Sequence, residues 1–173
     1  MTAQIANGGY KIKPKILVNN KPLSLEQAKN SMKFDSLHSP DLKLFGDPKN
    51  IKIVQEAMFS STNEIYGTSY KSRIDDPKYQ FAGKTGTSQV KRISKREREL
   101  DLKLEQIPYK DRDHALYVAY GPYINPRYAL SIIVEHGGSG SKTAAPMAKE
   151  LFKLIIDRDE LRKKQSNFED INI

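Results

Sequence analysis

The ten residues Phe81-Ala82-Gly83-Lys84-Thr85-Gly86-Thr87-Ser88-Gln89-Val90 constrain the fold more than any other stretch of the chain. An apolar pair leads into small residues around a single lysine, and Ser88-Gln89-Val90 then alternates as a strand does. Glycine has no Cβ, so Gly83 and Gly86 allow another backbone or a ligand to come very close. Thr85 and Thr87 flank Gly86 with rotatable hydroxyl donors. The stretch reads as a strand whose exposed edge carries one ammonium and two hydroxyls, an anion-reading surface.

The neighbours of that strand are legible downstream. Ala115–Tyr120 and Ala129–Val134 are apolar on consecutive positions, which predicts strands covered on both sheet faces. Gly121-Pro122-Tyr123-Ile124-Asn125-Pro126 joins them. A final helix is expected from about Thr143 to Lys164, with Thr143 as cap and Pro146 in the first turn, where its missing N–H costs nothing. Its expected apolar face is Ala144, Ala148, Leu151, Phe152 and Ile155.

Upstream, Thr2–Asn7 reads as the last turns of a helix stopped by Gly8-Gly9, and Tyr10–Val18 as an edge strand interrupted by Pro14. Asn19-Asn20-Lys21-Pro22 is a turn, and residues 23–47 are polar and loop-like. Asp47-Pro48 opens a helix, Asp47 as cap and Pro48 at its first position, with Ile51, Val54, Ala57 and Met58 on the expected buried face. Ser60–Ser72 reads as loop. Residues 91–113 are a charged insert without a helical stripe. It is open to three readings: a mobile hairpin over the site, a docking element, or a solvated excursion.

Gly83-Lys84-Thr85-Gly86-Thr87-Ser88-Gln89-Val90 resembles the Lys-Thr-Gly strand of class B penicillin-binding proteins. The segments His114–Tyr123, Asn125-Pro126, Val134–Gly140 and Ala144-Ala145-Pro146 resemble the closing strands and helix of the penicillin-binding protein 2 branch, the elongation transpeptidases. Met1–Gly9 resembles the helix end that precedes this region. The resemblance is good over 80–156, fair over 1–18 and thin over 19–79. It implies an α+β fold related to the serine β-lactamases, an antiparallel sheet with helices on both faces. Residues 1–165 would form the C-terminal portion of the transpeptidase domain, and 166–173 a frayed tail.

The same resemblance implies roles for the strand residues. Lys84 and the hydroxyls of Thr85 and Thr87 would hold the terminal carboxylate of a D-alanyl-D-alanine stem peptide or of a β-lactam. Gly86 would let the acyl group lie against the strand. The Thr87 N–H would be an oxyanion donor, and the substrate would add itself along the strand edge.

The family's other two motifs are not expected in this chain. The nucleophile is a serine with a lysine base one helical turn later. Ser88-x-x-Lys91 lies in the strand, and Ser139-x-x-Lys142 lies in a glycine loop in the wrong order, so both are rejected. Ser61-Thr62-Asn63 matches the family's Ser-x-Asn only formally, too close to Lys84. No catalytic residue is therefore assigned, and independent catalysis is not expected. The alternative functions are a non-catalytic interaction piece that docks through 91–113 or complements an N-terminal half, or a phosphate binder. For the last, Gly83-Lys84-Thr85 lacks the required upstream glycine. In Gly137–Thr143, Ser141 stands where a phosphate loop needs glycine.

The net charge of +8 reads as a lysine-rich solvated surface, since no dense basic tract with interleaved aromatics marks a nucleic-acid partner. Without cysteine, disulfides and thiolate metal sites are excluded. His38, His114 and His136 lack ligand spacing, so neither metal nor other cofactor is expected. Members of the resembled family are held at the periplasmic face of the inner membrane by an N-terminal helix. These 173 residues hold no such run and no signal peptide. The expectation is a fragment, a split-gene product or an excised piece, with the rest of the domain as its partner.

Overall fold

The computed structural model describes residues 1–10, 47–92, 100 and 102–169, with side chains through residue 161. The expected strand over residues 10–18, the turn at 19–22 and the polar stretch to residue 46 lie almost wholly outside the described residues.

Three strands form one antiparallel sheet in the order β1-β2-β3: β1 Ala82–Ser88, β2 His114–Gly121 and β3 Tyr128–Val134. Register pairs Lys84 with Val118 and Thr85 with Tyr117 across β1 and β2, and Ala119 with Leu130 across β2 and β3. Helices cover both faces, as an α+β fold of this kind requires. On one face, the C-terminal helix α3 (Ala145–Glu169) packs Ala145, Ala148, Phe152 and Ile156 against Phe81, Ala115, Tyr117 and Ala119. Phe81 and Phe152 stack with centroids 4.9 Å apart, and Tyr117 meets Phe81 edge-on. Each such large side chain contributes about 1.5–3 kcal/mol through burial. On the other face, Ile5 of α1 (Thr2–Ala6) and Met58 of α2 (Pro48–Asn63) pack on Ala82 and Tyr120.

The helix termini form for local reasons. Gly8 and Gly9 have φ of 86° and 97°, the left-handed conformation that ends α1. Asp47 accepts the Lys49 N–H at 2.8 Å, and Pro48 follows as the first helical residue of α2. Gln55 of α2 donates to the Ile5 carbonyl at 2.7 Å and so ties α1 to α2.

Several expectations are corrected. The buried face of α2 is Ile51, Met58 and Thr62, whereas Val54 and Ala57 are exposed, because α2 leans on α1 and the end of β1 with a narrow stripe. That helix also runs to Asn63, so the stretch from Ser60 is not loop until after it; Tyr70–Ser72 then forms a 3-10 turn. The C-terminal helix is preceded by a π-turn, Gly140–Ala144, capped by Ser139 rather than Thr143. Thr143 instead donates to the Gly137 carbonyl at 2.8 Å. The wide turn shifts the phase of α3, so Ile156 is buried and Leu151 is exposed, and the helix continues past Lys164 to Glu169. Lastly, among the described residues β3 alternates between half-buried and exposed positions and is not buried on both faces. Tyr128, Leu130, Ile132 and Val134 pack on the α3 core, while Ala129, Ser131 and Ile133 face outward.

Of the charged insert, the described part consists of two 3-10 turns, Leu104–Gln106 and Tyr109–Asp111. Asp113 accepts the Val90 N–H, Lys91 pairs with Asp111 at 3.2 Å, and the Gly138 N–H donates to Asp113 O. The ends of the insert are thus fastened to both the exit of β1 and the β3–α3 turn.

Candidate functional site

The peptide groups of β1 alternate, pointing toward β2 at Ala82, Lys84, Gly86 and Ser88 and away from it at Gly83, Thr85 and Thr87. The last turn of α2 takes up the outward groups at the inner end. Asn63 Nδ2 donates to the Phe81 carbonyl at 2.9 Å. The Gly83 N–H donates to Thr62 Oγ1 at 3.1 Å, and the same hydroxyl lies 3.4 Å from the Gly83 carbonyl. Beyond Gly83 the edge opens at Thr85 and Thr87.

Thr62 is the centre of a buried polar knot. Its Oγ1 is 2.9 Å from the Tyr117 hydroxyl, which also sits 3.1 Å from Ser69 Oγ; Ser69 in turn donates to the Ser61 carbonyl at 2.9 Å. Thr62 and Ser69 are fully buried. Burial pushes the Tyr117 phenol above its ordinary pKa, the two hydroxyl contacts opposing the shift. Gly83 has to be glycine here: a Cβ would stand 2.4 Å from the Tyr117 hydroxyl. Gly67 is equally confined, since its Cβ would meet the Ser61 and Ser60 carbonyls at 2.4 and 2.5 Å, which brings the 64–69 loop tightly onto α2.

Lys84 is exposed, and no carboxylate pairs with it among the described residues. Its Nζ donates to the Thr85 carbonyl at 3.0 Å and to Thr85 Oγ1 at 3.3 Å. Thr85 Oγ1 is also 3.3 Å from Thr68 Oγ1, itself 3.2 Å from Ser61 Oγ. Thr87 is exposed at the outer end of the edge. Gly86 lies where β1 meets the π-turn: a Cβ on Gly140 would come within 2.7 Å of Gly86 O and 2.5 Å of Leu116 O. A groove lined by Ile65, Thr68, Lys71, Ser141, Lys142 and Lys149 runs beside Thr68.

The structure thus brings Lys84 and Thr85 into direct contact and leaves Gly86 and Thr87 next along the same open edge. The rejected serines hold other posts. Ser139 caps the π-turn by accepting the Lys142 N–H and bonds Ser141 Oγ at 3.1 Å. The lysine three residues after Ser88 is paired with Asp111. Ser61-Thr62-Asn63 is a scaffold for β1, each residue engaged as described. Sequence reasoning does not find Thr62, Asn63, Thr68 and Ser69 as builders of the site. The one sequence signal for Thr62 is its place in register with Ile51 and Met58 on the face of α2.

A sequence model of the penicillin binding protein transpeptidase domain matches residues 1–153. The chain is 34% identical over 155 residues to the peptidoglycan D,D-transpeptidase MrdA of Salmonella typhimurium, with 88% of this chain and 23% of that protein covered. The MrdA of Acinetobacter baumannii is 31% identical over 153 residues, covering 87% of this chain and 20% of the relative. Among solved structures, penicillin-binding protein 2 of Pseudomonas aeruginosa in complex with WCK 5153 is similar with a TM-score of 0.59 and 29% identity, covering 88% of this chain and 28% of that one. The complex between penicillin-binding protein 2 and MreC from Helicobacter pylori gives 0.57 and 29%, covering 88% and 23%. The chain therefore spans about a quarter of the length of these relatives. No helix among the described residues is long and apolar enough to cross a membrane.

Proposed function

Because the chain belongs to the penicillin-binding protein transpeptidase family, we propose that it supplies the carboxylate-holding wall of a peptidoglycan D,D-transpeptidase site of the penicillin-binding protein 2 kind. The reaction is cross-linking of stem peptides by acyl transfer through a serine ester, which β-lactams intercept, and it takes place on the periplasmic side of the membrane. The observation that carries this reading is the divided edge of β1. Its inner half is closed by Thr62 and Asn63, and its outer half presents Lys84, Thr85 and Thr87 with no carboxylate neighbour among the described residues. An ammonium held beside hydroxyls recognises a terminal carboxylate. A peptide can add to the outward main-chain groups of Thr85 and Thr87 as an extra strand, its carboxylate drawing Lys84 off the Thr85 carbonyl. The Thr87 N–H then faces the carbonyl under attack and stabilises the oxyanion.

Neither Ser88 nor Ser139 acts as the nucleophile in this reading. The attacking serine and its lysine base come from the rest of the domain. The chain alone, incubated with benzylpenicillin, is expected to show no covalent mass increase. With the rest of the domain supplied, Lys84→Ala is expected to slow β-lactam acylation by a factor on the order of ten to a thousand, through loss of a charge-assisted contact and of positioning. An unchanged acylation rate places the clamp elsewhere, and a stoichiometric adduct on the chain alone, abolished by Ser88→Ala or Ser139→Ala, overturns the assignment of the nucleophile.

A further inference from the structure

The hydroxyls of Ser61, Thr68 and Thr85 form a line that ends at Lys84: 3.2 Å from Ser61 Oγ to Thr68 Oγ1, 3.3 Å on to Thr85 Oγ1, and 3.3 Å from Lys84 Nζ to that same oxygen. Ammonium has only protons to give, so in this contact Lys84 occupies one lone pair of Thr85 Oγ1. A carboxylate arriving beside Lys84 has only lone pairs, so Thr85 has to spend its single proton on it. Thr68 then cannot receive a proton from Thr85 and has to donate to it. Thr68 fills the second lone pair of Thr85, and Ser61 in turn donates to Thr68. With both lone pairs occupied, the Thr85 proton has one direction left, toward the ligand.

We propose that Thr68, with Ser61 behind it, is a positioning residue that holds the Thr85 side chain and sets its hydroxyl as a donor to a carboxylate ligand. The role rests on the reading of Lys84 and Thr85 as the carboxylate clamp. Chains of hydroxyls polarise one another in the required sense. The 64–69 loop is suited to the task because Gly67 seats it directly on the Ser60 and Ser61 carbonyls and Ser69 anchors it to the Thr62–Tyr117 knot, so Thr68 has a fixed base. Thr68 itself is exposed, and its replacement leaves the knot intact.

Two measurements on the full chain test this. The first needs no ligand: three-bond couplings that report the Thr85 χ1 rotamer. One rotamer is expected in the parent and in Thr68→Ser, and averaging in Thr68→Val. A parent that averages, a Thr68→Val that does not, or a Thr68→Ser that fails to restore the single rotamer overturns the proposal. The second is titration with N-acetyl-D-alanyl-D-alanine and with its C-terminal amide. Loss of one donor in Thr68→Val should weaken the acid about three- to tenfold, as one net hydrogen bond does, and weaken the amide less, because its NH2 group can donate to Thr85 where a carboxylate cannot. Equal weakening of both, or of neither, overturns the donor-setting role. Absence of any binding of the acid to the parent overturns the clamp reading itself, while the couplings still decide whether Thr68 positions Thr85.

Discussion

The two outer strands of the sheet end in edges of opposite character. Along β1, the inner outward-facing groups are occupied by side chains of α2, and only the stretch from Thr85 onward is open. Along β3, alternation turns the peptide groups of Ala129, Ser131 and Ile133 away from β2, and the side chains of the same residues are exposed, Ile133 by 63%. No lysine or proline stands within Tyr128–Val134 to blunt it. In the function proposed above, the β1 edge leaves a short extended ligand one place to lie. Among the described residues, no further strand pairs with the β3 edge. The open stretch of β1 is therefore defined by closing the rest of its edge, and the closing is done by Thr62 and Asn63.

The difference can be broken most severely at Gly83. Gly83→Ala drives a methyl into the Tyr117 hydroxyl and should cost about 3 kcal/mol, the upper part of the usual overpacking range. Chemical denaturation checks it, and a loss under about 1 kcal/mol would mean the Tyr117 ring has room to retreat. Removing the plug is next. Thr62→Val keeps the shape but strips the Gly83 N–H of its acceptor in a buried site, for about 1–3 kcal/mol. It should also speed exchange of the Gly83 amide toward that of the outward amides of β3.

Acid tests the anchor below the same edge. Tyr79, just ahead of β1, donates to Asp157 of α3 at 2.5 Å, and Lys78 reaches Asp157 and Glu160. The Tyr79 hydrogen bond, helped by Lys78, lowers the Asp157 pKa, and the Tyr79 contact followed by the Glu160 contact raises that of Lys78. A lowered carboxyl pKa stabilises the fold fully above its unfolded value and loses that contribution as pH falls through the folded one. Below about pH 4 the anchor should therefore weaken, and Asp157→Asn should flatten the acid limb of the stability curve. An unchanged limb would show that the cluster contributes nothing to folding. The smallest effect on stability is expected at β3. Ile133→Lys should change it by no more than about 0.5 kcal/mol, yet suppress self-association of the chain in sedimentation. In the monomer, hydrogen exchange at Ser131 and Ile133 should outpace that at Leu130 and Ile132. Strong protection at all four would show that the edge already has a partner strand.

How much of this is legible depends on whether the cause lies nearby in sequence. The β1 strand, its exposed lysine, the two following strands and the Asp47-Pro48 helix start are local effects of glycine, periodicity and capping, and they stand where expected. Periodicity draws the buried face of α2 too wide because spacing alone cannot tell Val54 from Thr62. Thr62 is inside because Gly83 and Tyr117, twenty-one and fifty-five positions on, offer its hydroxyl partners. The face of α3 is misphased at Leu151 and Ile156 because a π-turn has no signature in apolar spacing. The proposed clamp residues come from a motif, whereas the residues around them, Thr62, Asn63, Thr68 and Ser69, are ordinary polar residues whose contacts exist only after folding.

Gly140 links the two sides of the sheet mechanically. It nestles against the Gly86 and Leu116 carbonyls with no space even for a methyl, on the face away from α1 and α2. Close-packed interiors pass displacement on rather than absorb it. The π-turn is thus a fulcrum: a rotation or a small bulge at the start of α3 presses on the β1 backbone at Gly86, between Thr85 and Thr87. The spacing of Thr85 and Thr87 is thereby set by the π-turn that packs on the strand between them.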